Sequence, residues 1–187
     1  MRGSAVRRVF RAVGGGQSDL VTIMNGPPDL GVDLLGIEAG AAPRLRVGLR
    51  RPDGGTVQCV LFTATVTIAT SRRGYADAER DRLAEAFGAR PPDGLAWARV
   101  GATVPTFRGA TEVAIALPFG PGMPAAAGRY LGALRDGDVP LDLAFDGTVF
   151  YPGDGGAPRT GQLPWRHEAA ALLPVRDFEF ARREERR

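Results

Sequence analysis

From Thr56 to Thr70 the chain follows a period of two that only an extended strand satisfies. Val57, Cys59 and Leu61 mark one face, then Phe62, Ala64, Val66 and Ile68, with Thr63, Thr65 and Thr67 opposite. Such alternation is the mark of a half-buried strand, and it needs partner strands to pair its backbone. The parity slips between Leu61 and Phe62, which predicts a bulge or a change of sheet there.

The partners are legible on both sides. Leu34–Ile37 reads as a first short strand, and Leu45, Val47 and Leu49 alternate with Arg44, Arg46, Gly48 and Arg50. Pro52-Asp53-Gly54-Gly55 is a turn. Trp97–Val104, Glu112–Leu117, Pro140–Tyr151 and Trp165–Val175 supply further strands, the last two joined by a glycine-rich loop from Pro152 to Gly161. Tyr75–Phe87 is predicted as a helix closed by Gly88, and Ala125–Leu134 as a second short one. Strands do not alternate with full helices, which disfavours a parallel sheet. The expected fold is therefore mainly β: an antiparallel β-sandwich, immunoglobulin-like, with two short helical insertions. Residues 33–177 form its single domain. Residues 1–32, broken by Gly14-Gly15-Gly16 and Gly26-Pro27-Pro28, read as a flexible tail, and 178–187 as a charged tail.

Composition narrows the function. All 24 basic residues are arginine, which fits codon bias in a GC-rich genome, so the net charge of +3 carries little information. The arginines are scattered among 21 acids, which argues against nucleic acid as a partner. Cys59 is the only cysteine, so no disulfide forms within the chain and a reducing, cytoplasmic setting is expected. No apolar run is long enough to cross a membrane, and the arginines near the start precede no apolar segment of a secretory signal.

Reactive groups are few. Cys59 and His167 are the only candidates for a thiol–imidazole pair, the basis of an alternative reading as a hydrolase. One Cys and one His cannot complete a structural zinc site. Asp136-Gly137-Asp138 hints at a calcium loop, but Pro140 stands where an oxygen donor is needed. Asp136-Gly137 and Asp146-Gly147 read better as turn or strand-end devices. Glu112 and Asp142 could in principle pair as glycosidase carboxylates, though nothing in their spacing singles them out. Trp97 and Trp165 read as core anchors. The row Arg44, Arg46 and Arg50 reads as a solvated or charge-protected face, and Asp77–Glu85 as a solvated helix face. No catalytic residue, cofactor or metal site is expected.

Several blocks taken together resemble a known family. They are Arg72-Arg73-Gly74-Tyr75-Ala76-Asp77-Ala78-Glu79, the run from Trp97 through Val104-Pro105-Thr106-Phe107 to Val113, and Tyr130-Leu131-Gly132-Ala133-Leu134-Arg135-Asp136-Gly137-Asp138. Phe145-Asp146-Gly147-Thr148-Val149-Phe150 and Pro164-Trp165 through Leu173-Pro174-Val175 complete the set. In order and spacing they resemble an uncharacterised actinobacterial family of domains of unknown function. Its members are often encoded beside high-affinity nickel–iron hydrogenase genes. That family implies no established activity, fold or catalytic residue. The resemblance together with the poverty of catalytic groups leads to the expectation of a non-enzymatic accessory or protein-interaction domain with a protein partner, in a hydrogenase-assembly setting. A structural subunit of a larger assembly is the remaining alternative. Tyr130, Asp136, Trp165 and His167 are the candidate interaction patch, if they share one exposed surface.

Overall fold

The computed structural model describes residues 28–40 and 42–177. The expected tails at 1–27 and 178–187 lie outside the described residues. The chain is mainly β, arranged as antiparallel sheets with two α-helices inserted. Its strands are β1 (Gly31–Glu38), β2 (Arg44–Arg50), β3 (Thr56–Val57), β4 (Cys59–Ile68), β5 (Leu95–Val104), β6 (Phe107–Arg108), β7 (Ala110–Ala116), β8 (Asp138–Pro152) and β9 (Pro158–Pro174). Helix α1 (Asp77–Phe87) fills the β4–β5 connection, and α2 (Ala125–Ala133) the β7–β8 connection. One sheet has the order β1-β2-β7, a second β5-β4-β8-β9, and β3 pairs with β6 alone.

The alternation read from the sequence explains the core. Leu45, Val47 and Leu49 of β2 are buried, as are Val60, Phe62, Ala64, Val66 and Ile68 of β4. Leu141, Leu143, Phe145 and Val149 of β8 join them, so both larger sheets contribute to one hydrophobic cluster. Phe62 and Phe145 stack across neighbouring strands with ring centroids 5.5 Å apart. Leu30 and β1 begin the packed pattern before Asp33, a little earlier than the expected domain start. β9 likewise starts well before Trp165, because Pro158–Leu163 pair with β8 as its hairpin return.

Two local expectations need correction. The parity slip at Leu61 and Phe62 is neither a bulge nor a change of sheet. β4 pairs with β8 without a shift from Cys59 to Ile68, so Leu61 is simply an apolar residue on the outer face. The change of sheet occurs earlier, at Gln58, between β3 and β4. The second correction concerns Asp146-Gly147, which sits inside β8 rather than at a strand end. Gly147 is not at positive φ; a Cβ there would come 2.4 Å from the Leu61 carbonyl oxygen. Close backbone approach therefore requires the glycine. Gly147→Ala is expected to lower stability by about 1–3 kcal/mol, read as a shifted denaturation midpoint. An unchanged midpoint would show that β4 and β8 can separate there at no cost. Asp136-Gly137 is the turn that was expected, with Gly137 at φ 76°.

Trp97 is fully buried, as expected for an anchor. The register explains how. Val66 faces Ala98 while Thr67 faces Ala96, so Trp97 is the extra residue of a bulge in β5.

Candidate functional site

The described residues offer two chemically distinct places: a buried polar node at the helical end, and the outer face of the four-stranded sheet.

The node is built around Glu79. Its position three residues after Ala76, the residue preceding α1, lets its carboxylate reach back and accept the Ala76 N–H at 3.4 Å. That carboxylate also accepts both oxygens' worth of bonds from Arg73 Nη2, at 2.9 and 3.1 Å, and the Arg135 N–H at 2.8 Å. Arg73 and Glu79 side chains are only 8% and 6% exposed, so this is a desolvated ion pair. Arg73 further donates to the carbonyls of Asp138, at 2.7 Å, and Asp136. Burial pushes the Glu79 carboxyl up, but the Arg135 N–H, the Arg73 guanidinium and the Ala76 N–H outweigh it and hold it below its ordinary 4.5. Sequence reasoning placed Glu79 on a solvated helix face; the structure buries it instead. The helical period cannot show that a turn from another element will close over a charged position.

Beside this pair, Tyr75 and Tyr130 join their hydroxyls at 2.8 Å, with the rings edge to face. The Tyr75 hydroxyl also lies 2.7 Å from the Thr70 carbonyl, which can only accept. Tyr75 therefore donates to Thr70, and Tyr130 donates to Tyr75. Burial and the Tyr75 hydroxyl raise the Tyr130 phenol well above its ordinary value, so it stays protonated as that donor. The node fastens the 70–79 segment and α1 to α2 and the turn before β8. Most of its groups are spent on one another, Arg73 Nε being the exception, which makes it a framework.

The candidate patch does not assemble as one surface. Tyr130 is fully buried, while Asp136 is exposed in the turn. Phe145, the pairing partner of His167, points into the core, so His167 is turned inward beside it and is half-buried rather than on the outer side. His167 also lies seven residues along β8 from Asp138, roughly 23 Å from the Asp136 turn. The side chain of Trp165 lies outside the described residues, so its reading as a core anchor is not carried further. Its backbone falls in a bulge where residues 164–166 face Asp146 alone.

The other pairings are also separated. Cys59 pairs with Phe150 and His167 with Phe145, so β8 lies between them and they are five residues apart along it, on the order of 15–20 Å. They also face opposite sides of the sheet. Cys59 lies on the outer face with Leu61, which removes the thiol–imidazole pair. Glu112 ion-pairs with Arg46 on the three-stranded sheet, whereas Asp142 ion-pairs with Arg72 on the other. They are not a carboxylate pair. Arg46 also meets Glu38, so part of the arginine row is a cross-strand charge ladder. Among the described residues no three His, Cys, Asp or Glu side chains gather to hold a metal, and no helix is long and apolar enough to cross a membrane.

The outer face of β5-β4-β8-β9 is the second place. Pairing arranges it in rows across the sheet. Thr103, Leu61, Thr148 and Gln162 form one, and Arg99, Thr65, Ala144 and Glu168 another. Ala96, Thr67, Asp142 and Ala170 form a third. Most of these side chains are small and neutral. Leu61 is 48% exposed and Leu172, farther along the same face on β9, is 45% exposed; these are the exposed large hydrophobics among the described residues. Arg72, from the segment after β4, reaches onto Asp142, and Pro140 opposite Leu172 is buried, so that end of the face is partly covered, while Leu61, Thr103, Gln162 and Glu168 stand exposed. Sequence reasoning missed it, although the parity slip at Leu61 was its visible trace: an apolar residue on the polar side of a strand.

Comparison with known proteins gives a family and no activity. A model described as a family of unknown function, DUF6084, matches residues 29–181, and the chain belongs to that family. No curated protein and no solved structure matches the chain. The resemblance read from the sequence is thus shown at the level of a domain of unknown function.

Proposed function

We propose that this member of the family is a non-enzymatic accessory domain whose work is protein binding, carried out on the outer face of the four-stranded sheet. The observation that carries the reading is the placement of both Leu61 and Leu172, exposed, on one sheet face whose other side chains are mostly small and neutral. Interaction surfaces are poor in charge at their centre and keep apolar groups at hand. The node lies at the helical end and ties the helices to the turn before β8.

An immunoglobulin-like sandwich is the finer reading of the fold. Taken as A, B and E, β1, β2 and β7 follow the order of one immunoglobulin sheet. Taken as C′, C, F and G, β5, β4, β8 and β9 follow the order of the other. Both helices then sit in the C–C′ and E–F connections at one end, where α1 meets α2. In such folds the G-F-C face is a broad platform, and here it carries both exposed large hydrophobics of the described residues.

The setting we propose is cytoplasmic, in the assembly or maturation of a nickel–iron hydrogenase, following the resemblance of the sequence blocks. Leu61→Arg puts a charge on an inner strand of the face without touching the core. In the native host, deletion of the gene is expected to lower hydrogenase activity, and Leu61→Arg to reproduce most of that loss at normal protein level. Full activity after deletion would overturn the assembly role. Full activity in Leu61→Arg alongside loss on deletion would move the binding function off this face.

A further inference from the structure

We propose that the partner of the open sheet face is a second copy of this chain, packed face to face about a two-fold axis parallel to the strands. The inference rests on the binding reading above and specifies its occupant.

The charge pattern selects both the occupant and the geometry. Arg99 on β5 and Glu168 on β9 stand at opposite ends of the same row, with Thr65 and Ala144 between them. Three strand spacings separate the two, about 14 Å. A two-fold axis along the strands lays β5 of one copy over β9 of the other and keeps each row in register. Arg99 of each copy then meets Glu168 of its partner, twice by symmetry. The same operation sets Thr65 against Ala144, Ala96 against Ala170, Thr103 against Gln162 and Leu61 against Thr148. None of these rows superposes like charges. A two-fold axis across the strands, passing through the Arg99 row, would lay β5 on β5 and set Arg99 against Arg99, which the pattern penalises.

The remaining charges fit. Asp142 and Asp146 on β8 face Thr67 and Thr63 of the partner, and each already has an arginine in its own chain, Arg72 and Arg99 respectively. The Arg99–Asp146 contact is loose, at 3.7 Å, and Arg99 is 71% exposed, so its guanidinium is available to a further carboxylate. Small residues at the centre allow two sheets to approach to roughly the 10 Å of packed β-layers, at the usual aligned angle. A face four strands wide and some eight residues long covers on the order of 500 Å² per copy, the low end of specific interfaces, the class of weak and transient associations.

The test is a charge-swap cycle on the full chain, followed by sedimentation equilibrium from about 1 to 500 µM, a range set by that weak association. Wild type is expected to pass from monomer to dimer. Arg99→Glu opposes two carboxylates and Glu168→Arg two guanidiniums, so each alone is expected to weaken association at least about tenfold. Mixing the two single variants restores complementarity at both positions, and a heterodimer is expected. Matching thermal unfolding of the variants as monomers excludes loss of fold, since both side chains are on the surface. A wild type that stays monomeric overturns the proposal, as does a dimer indifferent to both variants or a mixture that fails to associate. These failures are separable from failure of the binding reading. A monomeric wild type whose Leu61→Arg variant still loses hydrogenase activity keeps the face and changes its occupant.

Discussion

Replacing Glu79 with alanine lowers the unfolding free energy by about 3–5 kcal/mol at neutral pH, the usual cost of removing one member of a buried ion pair. Three partners explain the size. Arg73 loses its desolvated partner while remaining 8% exposed, and the N–H groups of Arg135 and Ala76 lose their acceptor. Glu79→Gln keeps the shape and an acceptor oxygen but not the charge, so it falls between wild type and alanine. The measurement is urea denaturation of each variant. A cost for alanine under about 1 kcal/mol, typical of a surface ion pair, would show that the pair is hydrated in solution.

The same carboxylate sets an acid limb in the stability. Its folded pKa lies below the ordinary 4.5, so the unfolded state takes up its proton first as the pH falls. The contribution of Glu79 is therefore complete above its unfolded pKa and is lost as the pH drops through the lower, folded one. Wild type and Glu79→Gln should converge in stability between neutral pH and pH below about 4. A constant gap across that range would place the effect in shape rather than in charge.

The second large effect is at Trp97. Trp97→Ala should cost about 3–5 kcal/mol, the range for emptying a fully buried large aromatic site. The indole is fully buried, and its Nε1–H donates to the Pro118 carbonyl at 3.0 Å. That bond ties the bulge of β5 to the segment leading into α2. Trp97→Phe retains most of the packing and leaves the Pro118 carbonyl without this donor, at about 1–2 kcal/mol. If phenylalanine cost as much as alanine, the hydrogen bond rather than the buried volume would dominate. Denaturation midpoints of the two variants decide between these.

Strands were legible wherever one face is apolar and the other polar, because the pleat repeats every two residues and burial selects one side. β2, β4 and β8 show this plainly. β9 was half-read, since Pro158–Leu163 carry too little alternation and are held by pairing with β8. Tyr130 lies in the expected second helix, which packs against α1 and β5, and its full burial there keeps it from serving a surface patch. Leu61 was assigned to the wrong cause, because a break in parity within one strand does not reveal which side neighbouring strands will cover. The open face was therefore hidden in a misread bulge.

By itself the sequence determined the mainly β character, the two helical insertions and the apolar core, since these follow from local periodicity and burial. It also supplied the blocks that mark the family. Only the tertiary structure decided which charges are buried and which faces stay open. Glu79 is buried because the turn at Arg135 and Asp136 closes over the start of α1. Arg99 and Glu168 share a row because three pairings, each made far along the chain, bring β5, β4, β8 and β9 into one register. Alternation fixes the side of a strand on which a residue lies. Strand pairing fixes what lies beside it, and that second relation carries the proposed function.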